Sequence, residues 1–203
     1  MYTPKFNQLT DRAILLEAMQ RYSFAILFGG EDPNATHLPL MVKDEGEHGL
    51  IEGHFAKANP HWRALAGHET LVVFPGPHSY VSPAYYTEEL SVPSWNYIAI
   101  HAYGKLEPIE DEAAKESLVA SLIAIHEARY IDQWNGLPHG YKHTMLGNIV
   151  GFRIPIDRIE GKFKLSQNRK PQERMNVHDA HAAGSSDGRD LAAWMERLGL
   201  TRP

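Results

Sequence analysis

The chain has 203 residues, of which 43% are apolar and 22% charged, with a formal net charge of -5. These values predict a folded domain with a sizeable core and exclude a disordered or fibrous chain. The absence of cysteine excludes disulfides, iron–sulfur clusters, thiolate nucleophiles and cysteine-based zinc sites, and it favours a reducing compartment. We expect a cytoplasmic protein without membrane association, because residues 1–7 do not resemble a signal peptide and no stretch reaches the ~20 apolar residues that span a bilayer.

The first third of the chain mixes helical and strand patterns. Thr10 and Asp11 predict a helix start, and the apolar residues that follow as far as Tyr22 recur at helical spacing. Pro39 lies within a strand pattern and predicts an edge or an irregularity, since proline cannot donate to a β ladder. Strands are predicted at residues 23–28, 35–43, 50–55 and 70–74, with a short helix at 61–65 after Asn59-Pro60. Pro75-Gly76-Pro77 is predicted to end the fourth strand.

The longest predicted strand covers residues 94–107. Trp95 and Tyr97 alternate with Asn96 and Ile98, and apolar groups occur on both faces of the strand. Such a strand lies between a barrel interior and a second covering surface, for which a partner subunit is one candidate. Farther on, the sequence predicts a helix at residues 111–129, a loop at 135–140, strands at 150–156 and 163–165, a flexible linker at 178–187 and a terminal helix at 191–198.

Together these patterns give about six or seven strands that do not alternate regularly with helices. They argue against a doubly wound parallel sheet and predict a mainly β (α+β) fold, a small barrel with appended helices. We place the main domain at residues 1–175, and a linker with a C-terminal helix at 176–203.

The signatures of dinucleotide, nucleotide-triphosphate, esterase and zinc-protease sites are absent from the sequence. Polar and basic groups instead surround the predicted strand-to-helix junction, at His54, Lys57, Asn59 and Arg63. A helix start with free backbone N–H groups can bind phosphate, and basic side chains would add charge. The alternative is a capped helix with solvated basic side chains.

Two proline-stiffened aromatic segments, residues 76–86 and 92–97, could stack against a flat ring. Alternatively, their aromatic side chains close one end of a barrel. Residues 162–169 are predicted to form a strand that ends in polar and basic residues. These residues either contact a phosphate or are solvated. Residues 53–104 are therefore a candidate site for a flat, phosphate-bearing cofactor.

Twelve histidines are present. We expect His126 to pack in the core, His178 and His181 to be solvated in the linker, and the His139/His143 pair to lie outside a regular metal-binding helix. Without carboxylates at a recognisable ligand spacing, no metal site is predicted. The functional candidates are His37, His54, His78 and His101.

Several sequence blocks resemble the PaiB family. They include His37-Leu38-Pro39-Leu40, residues 53–60 (GHFAKANP), residues 73–83 (VFPGPHSYVSP), residues 92–97 (VPSWNY), Gly151-Phe152-Arg153-Ile154 and residues 164–168 (KLSQN). The blocks occur in order from residue 1 to about 175. The resemblance implies an FMN-binding negative transcriptional regulator whose split β-barrel forms a homodimer and holds FMN between subunits.

By analogy with other split barrels, the resemblance also implies which residues contact FMN. The phosphate would meet the strand-to-helix junction, and the ring would meet the segment around Trp95. The expected FMN-binding residues are His37, His54, Lys57, Asn59, Arg63, Trp95, Asn96, Ser166, Gln167 and Arg169. Lys57 occupies a position where the family pattern leads us to expect arginine, and lysine keeps the charge but loses the bidentate fork.

Two alternatives remain open at this point. Split barrels also include FMN-dependent oxidoreductases of the pyridoxamine-phosphate-oxidase and flavin-reductase kind, in which His78, Tyr80 or His101 would supply a proton. Others bind haem, and a histidine could be its axial ligand. Catalytic residues cannot be assigned from the sequence. Direct DNA binding is not favoured by the acidic charge, since only residues 162–174 are locally basic.

Overall fold

The computed structural model of the protein describes residues 1–30 and 34–201, and within them it has ten strands and seven α-helices. The strands are β1 (Gln8–Leu9), β2 (Phe24–Gly29), β3 (Asn34–Pro39), β4 (Met41–Lys43), β5 (Leu50–Ala56), β6 (Glu69–Val81), β7 (Ser94–Lys105), β8 (Glu107–Ile109), β9 (Ile149–Pro155) and β10 (Arg158–Lys164). The helices are α1 (Arg12–Arg21), α2 (His61–Leu65), α3 (Glu112–Glu127), α4 (Ile131–Gly136), α5 (His139–Gly147), α6 (Pro171–Ala182) and α7 (Ser186–Arg197). No helix in the described ranges is long and apolar enough to cross a membrane.

The chain folds into two compact units. The first, the β10 unit, contains residues 1–11, 75–100 and 160–203, and the second, the β5 unit, contains residues 12–74 and 101–159. Helices α6 and α7 belong to the same unit as β10, and the division at residue 175 stays a prediction.

The β5 unit is built around an antiparallel sheet with strand order β4-β5-β9-β8. β5 and β9 pair along their whole lengths, from Leu50 opposite Pro155 to Ala56 opposite Ile149. Alternate side chains of β5 are buried, and Phe55 packs at 5.0 Å from the Phe152 ring. In the same unit, β2 pairs with β3 and with the first part of β6.

The last part of β7 passes very close to β9 in this unit. Gly104 is buried, and a Cβ added to it would lie 2.1 Å from the carbonyl oxygen of Pro155. The backbone of Tyr103 also accepts a hydrogen bond from the N–H of Asp157 at 2.8 Å. Only glycine allows the backbones to approach this closely.

Helix α3 covers one face of this sheet, α5 contacts β9, and α4 packs against α3. Leu118 and Leu122 on α3 form a buried cluster with Met41. Gly151 of β9 lies beneath α3, since a Cβ there would be 3.3 Å from both Leu118 and Lys115. The apolar stripe predicted for this helix is confirmed at Leu118 and Leu122.

The β10 unit has the neighbouring strands β1-β10-β7-β6 and the two C-terminal helices. Its core includes Phe163, whose ring packs edge-on against Trp194 of α7 at 5.4 Å, and both side chains are at most 2% exposed. Along β7, Asn96, Ile98 and Ile100 are buried, whereas Trp95 is 51% exposed.

Several local predictions are wrong. β6 continues through Pro75-Gly76-Pro77 to Val81, because its pairing with β2 ends at Val73 and the prolines need not donate to that strand. The linker predicted at residues 178–187 is occupied by the end of α6 and the start of α7. Residues 135–140 were predicted as loop, but α4 and α5 extend into them.

Three predictions about histidines are also wrong. His126 is exposed, as is Ile125 of the predicted stripe, because residues 124–127 in the last turn of α3 are all exposed to solvent. His139 and His143 do lie on a regular helix, since glycine is tolerated in a first turn. His178 and His181 lie on α6 and are largely shielded from solvent, with His181 only 3% exposed.

Candidate functional site

The strand-to-helix junction of the β5 unit contains a closed hydrogen-bond network. The Asn59 side chain accepts from the backbone N–H of His61 at 3.0 Å and donates to the Thr36 hydroxyl at 3.2 Å. The Thr36 hydroxyl is 2.8 Å from His61 Nδ1, and His61 Nε2 is 3.2 Å from the Gly29 carbonyl. Because a carbonyl can only accept, Nε2 carries the proton and Nδ1 accepts from Thr36.

This network leaves few groups at the junction free to bind phosphate. Asn59 caps the five-residue helix α2, and the N–H of Arg63 bonds to the Pro60 carbonyl at 3.0 Å. The Asn59 carbonyl and one of its two amide N–H groups are engaged in these internal bonds, so only the second N–H remains for a ligand. The capped-helix alternative describes this part of the junction well.

We expect Thr36→Val to destabilise the fold, because His61 Nδ1 and the Asn59 amide lose their shared partner in a partly buried network. A loss of about 1–3 kcal/mol in unfolding free energy is the expected size, measured by urea denaturation. Thr144→Val is the matched control, since the Thr144 hydroxyl bonds only to the carbonyl one turn earlier on the exposed surface of α5. Equal losses in both variants would contradict this account of the network.

The two basic side chains at the junction are exposed. Lys57 lies at the end of β5, and the Arg63 guanidinium stacks over the Trp62 ring at 4.5 Å. Arg63 also borders a cleft of about 620 Å³ whose lining includes Gly30, His61 and His68. These two side chains are the charged groups of the predicted junction set that remain available to an anion.

The two histidines predicted here occupy different environments. His37 is exposed on β3, with its ring 6.3 Å from that of Phe24. His54 is half-buried on β5, opposite Gly151 of β9, so it lies on the sheet face covered by α3. Burial lowers the pKa of His54, and its Nδ1 atom has no hydrogen-bond partner among the described residues. His54 therefore faces away from the Phe55 and Phe152 core.

The outer surface of the β10 unit carries a cluster of exposed rings, which we call the aromatic face: His78, Tyr80, Trp95 and Tyr97. Trp95 is 51% exposed, and its ring lies 5.8 Å from Tyr80 and 6.1 Å from His78. The Lys162 ammonium is 5.2 Å from the Tyr97 ring. Asp187 at the start of α7 accepts from the backbone N–H of His78 at 3.2 Å.

Two polar residues expected to contact the flavin ring lie beneath this face. The Ser166 hydroxyl donates to Asn96 Oδ1 at 3.1 Å, and the Asn96 amide nitrogen is 3.1 Å from His181 Nε2. All three side chains are at least 91% buried. Burial, followed by the charge of nearby His178, lowers the pKa of His181 to about 4, so this imidazole is neutral at pH 7.

The other two residues expected to contact the ring, Gln167 and Arg169, lie in the turn after β10. Gln167 accepts from the backbone N–H of Leu165 at 2.8 Å and donates to the Phe163 carbonyl. The Arg169 guanidinium lies 3.7 Å from the centre of the Tyr86 ring. Ser166 has a φ of 63°, a left-handed conformation that this turn requires and that few non-glycine residues adopt.

The structure therefore separates the ten predicted FMN-binding residues into two sets. His37, His54, Lys57, Asn59 and Arg63 lie in the β5 unit. Trp95, Asn96, Ser166, Gln167 and Arg169 lie in the β10 unit. Only Trp95, Lys57 and Arg63 combine exposure with chemistry suited to a flavin ring or phosphate, and FMN contact stays a prediction for all ten.

The sequence did not reveal that His61 and His181 are buried and hydrogen-bonded to candidate site residues or their neighbours. The Asn59-Pro60-His61 turn offered some signal for the first, because asparagine before a helix is a capping residue. The second could not be identified, since its partner Asn96 is 85 residues away in the chain. Within residues 1–30 and 34–201, no group of three or more histidine and carboxylate side chains could hold a metal ion.

The fit of this chain to FMN can be judged on the aromatic face. A flavin is a flat ring with an anionic tail, and the face offers a half-exposed indole with lysine ammoniums beside it. An indole exposed to this degree with neighbouring rings is suited to stacking. The residues present thus fit such a group, with Trp95 for the ring and a lysine for the anion.

Comparison with known proteins identifies relatives by sequence. A family model described as "Putative FMN-binding domain" matches residues 1–158. The Protease synthase and sporulation protein PAI 2 of Bacillus subtilis is 39% identical over 181 residues, covering 87% of each chain. An uncharacterized protein of Emericella nidulans is 30% identical over 197 residues, covering 81% of this chain and 78% of the other.

Solved structures with a similar fold are more distant in sequence. The flavocytochrome Anf3 from Azotobacter vinelandii matches with a TM-score of 0.61 at 15% identity, covering 80% of this chain and 72% of that one. The FAD and heme binding protein from Mycobacterium smegmatis matches with a TM-score of 0.60 at 19% identity, covering 78% and 73%. The predicted mainly β split-barrel fold with appended helices is confirmed. On its sequence matches, this chain belongs to the PaiB family of FMN-binding-domain proteins.

Proposed function

We propose that this protein binds FMN, with the ring stacked on the aromatic face at Trp95, and that it acts as a PaiB-type negative regulator of transcription. The observation that carries the proposal is the 51% exposed Trp95, with the Tyr80 ring beside it and the Lys164 ammonium bonded to its carbonyl, in a chain matched by an FMN-binding-domain model. When bound, FMN would supply hydride or one-electron chemistry. The chain's own residues stack the ring and neutralise its anion.

A homodimer is part of this proposal. The outer face of β7 is half-exposed at Tyr97, Ala99, His101 and Tyr103, although the sequence makes it rich in apolar groups. A second subunit would bury this row, as the sequence pattern suggests. Sedimentation-equilibrium analysis is expected to give twice the mass of one chain, and a monomer at micromolar concentration would refute this part.

The regulatory role is proposed to work without tight DNA contact by the protein alone. The chain carries a net charge of -5, and electrostatic attraction supplies most non-specific DNA affinity. In a gel-shift assay we expect no salt-sensitive nanomolar binding by the purified protein. Such binding would assign the regulatory effect to direct DNA contact.

The cofactor is tested by the absorption spectrum of protein purified without added ligand. Oxidised-flavin bands would support the proposal. A Soret band would favour haem, which the name of the Mycobacterium smegmatis structural relative includes together with FAD. Lack of turnover with NADH, NADPH or pyridoxamine phosphate in the flavin-loaded protein would separate a regulator from an oxidoreductase of the same fold.

Trp95→Ala is expected to weaken FMN binding about tenfold, because removing a stacked aromatic partner typically costs ~1–3 kcal/mol. The measurement is titration of flavin fluorescence, which stacking quenches. Tyr141→Ala is the matched control, since Tyr141 is 53% exposed on α5, in the other unit. Equal effects of the two variants, or none from Trp95→Ala, would place the ring elsewhere.

A further inference from the structure

Two lysines of β10 project from the same side of the strand. Lys162 and Lys164 are partly exposed and alternate with the buried residues Gly161 and Phe163. Their Cα atoms are about 7 Å apart at the rise of a β-strand, and the flexible stems allow both ammoniums to approach one anion. β10 is the neighbour of β7, which carries Trp95 and Tyr97.

Contacts within the unit hold both ammoniums beside the aromatic face. The Lys164 ammonium donates to the Ser94 hydroxyl and, at 2.8 Å, to the Trp95 carbonyl. The Lys162 ammonium donates to the Tyr2 carbonyl at 3.0 Å and lies 5.2 Å from the Tyr97 ring. Since each ammonium has three N–H donors, one remains on Lys164 and two remain on Lys162.

The two positive charges lack acidic partners. In the part of the chain that the structure describes, neither ammonium forms an ion pair with a carboxylate, although the whole chain is acidic. Glu160 is on the same strand, but it binds the N-terminal ammonium of Met1. Burial, followed by the charge of Lys162, lowers the pKa of Lys164, so the pair is electrostatically unfavourable as it stands. A bound anion would relieve that repulsion.

We infer that Lys162 and Lys164 form an anion subsite that binds the phosphate of a ligand whose ring stacks on Trp95. The inference rests on the proposed function insofar as the ligand is FMN. It differs from the expectation that the strand-to-helix junction binds the phosphate. At that junction the Asn59 amide keeps only one N–H beside the exposed Lys57 and Arg63, whereas the lysine pair retains three N–H donors next to the strand that carries the exposed indole.

The test compares FMN with riboflavin, which has the same ring and no phosphate. The affinity of each is measured by fluorescence titration for the wild type, for Lys162→Gln/Lys164→Gln and for Lys57→Gln/Arg63→Gln. We expect the first double variant to lose about tenfold or more in FMN affinity, because its charge-assisted hydrogen bonds to the phosphate are lost, while riboflavin affinity changes less than twofold. Lys105→Gln, at an exposed lysine of β7, is the control for net charge.

Two further variants guard against misfolding, since Lys164 bonds to Ser94. Lys162→Gln alone should give part of the loss, and Lys164→Arg should retain most of the FMN affinity because the charge is kept. An unchanged FMN affinity in the double variant, or an equal loss for riboflavin, would overturn the inference. So would an FMN-specific loss confined to Lys57→Gln/Arg63→Gln, which would leave the proposed function intact.

Failure of the wild type to bind either flavin would instead refute the proposed cofactor. The subsite is then tested with inorganic phosphate as the probe, by NMR of the unmodified protein with ¹³C- and ¹⁵N-labelled lysine side chains. We expect the Lys162 and Lys164 signals to shift together on titration while the Lys105 signal does not. No selective shift would overturn the anion subsite as well.

Discussion

Gly104→Ala is expected to lower the unfolding free energy by about 3 kcal/mol or more. A Cβ at this position would lie 2.1 Å from the Pro155 carbonyl oxygen and 2.8 Å from Ile154 Cγ2. The nearest obstacle is backbone, which cannot rotate away as the end of a flexible side chain can. β7 and β9 must therefore separate locally, and overpacking of this kind typically costs 1–3 kcal/mol and occasionally more.

The measurement is guanidinium denaturation of the variant and of Gly140→Ala. Gly140 lies in the first turn of α5 with no atom within 4 Å of an added Cβ, and alanine is the better helix former. The control is therefore expected to be neutral or slightly stabilising. A Gly104→Ala variant as stable as the wild type would contradict the close approach of β7 to β9.

Stability is expected to fall as the pH is lowered from 7 to 4.5, with His181 as a major contributor. Its pKa is about 4 in the fold against a usual value of 6.5, so the unfolded chain binds a proton over this range and the folded chain resists it. The contribution is complete above about pH 6.5 and is lost progressively towards pH 4. The shift corresponds to about 2–3 kcal/mol at pH 4.5.

Two other histidines modify this dependence in opposite directions. Burial lowers the pKa of His54, which adds to the loss in acid. Burial would also lower the pKa of His178, but its hydrogen bonds to Asp179 and Glu196 outweigh that effect and raise it. His178 therefore gains a proton more readily in the fold and partly offsets the loss.

The decisive variant is His181→Gln, which can still accept from Asn96 but does not titrate. We expect its difference in unfolding free energy between pH 7 and pH 4.5 to be smaller than that of the wild type by about 2 kcal/mol. His126→Gln is the control at an exposed histidine. An identical pH dependence in wild type and His181→Gln would show that the buried imidazole is not the titrating group.

Local patterns were enough to predict most strands and helices of this fold. The short helix at residues 61–65 is confirmed to the residue, because Asn59-Pro60 marks its start clearly. The helix after Asp111 and the β4–β5 hairpin are confirmed as well. Each depends on residues close in sequence, which is where propensity and periodicity carry information.

The wrong secondary-structure predictions concern segments whose conformation depends on contacts with residues distant in the sequence. A segment rich in histidine, alanine, glycine and serine predicts a linker, yet α6 forms because Val177 and His181 are buried within its unit. A proline ends a strand where its backbone would have to donate a hydrogen bond to a neighbouring strand. Pro75 and Pro77 lie beyond the residues of β6 that pair with β2, so β6 continues through them. Helices α4 and α5 were missed because short, polar helices have weak periodic signals.

For the candidate site, the sequence predicted suitable residue types, but it did not predict which of these side chains are exposed and which are buried. Trp95 is exposed, as a stacking residue must be. Asn96 and Ser166 carry suitable ring-binding chemistry, but the fold turns both inward, because alternation along β7 places Asn96 opposite in direction to Trp95. Their partner His181 comes from a helix that no local pattern could connect with β7.

The position of α6 and α7 has a consequence for how far this domain extends. The matched family region stops at residue 158, whereas the β10 unit includes residues 160–203. A protein shortened to the matched region would lack the imidazole that pairs with Asn96 and the indole of Trp194 that packs on Phe163, together with Phe163 itself. The limits of the matched family model and of the compact unit are therefore different here, and loss of ligand binding in so short a fragment would reflect an incomplete core.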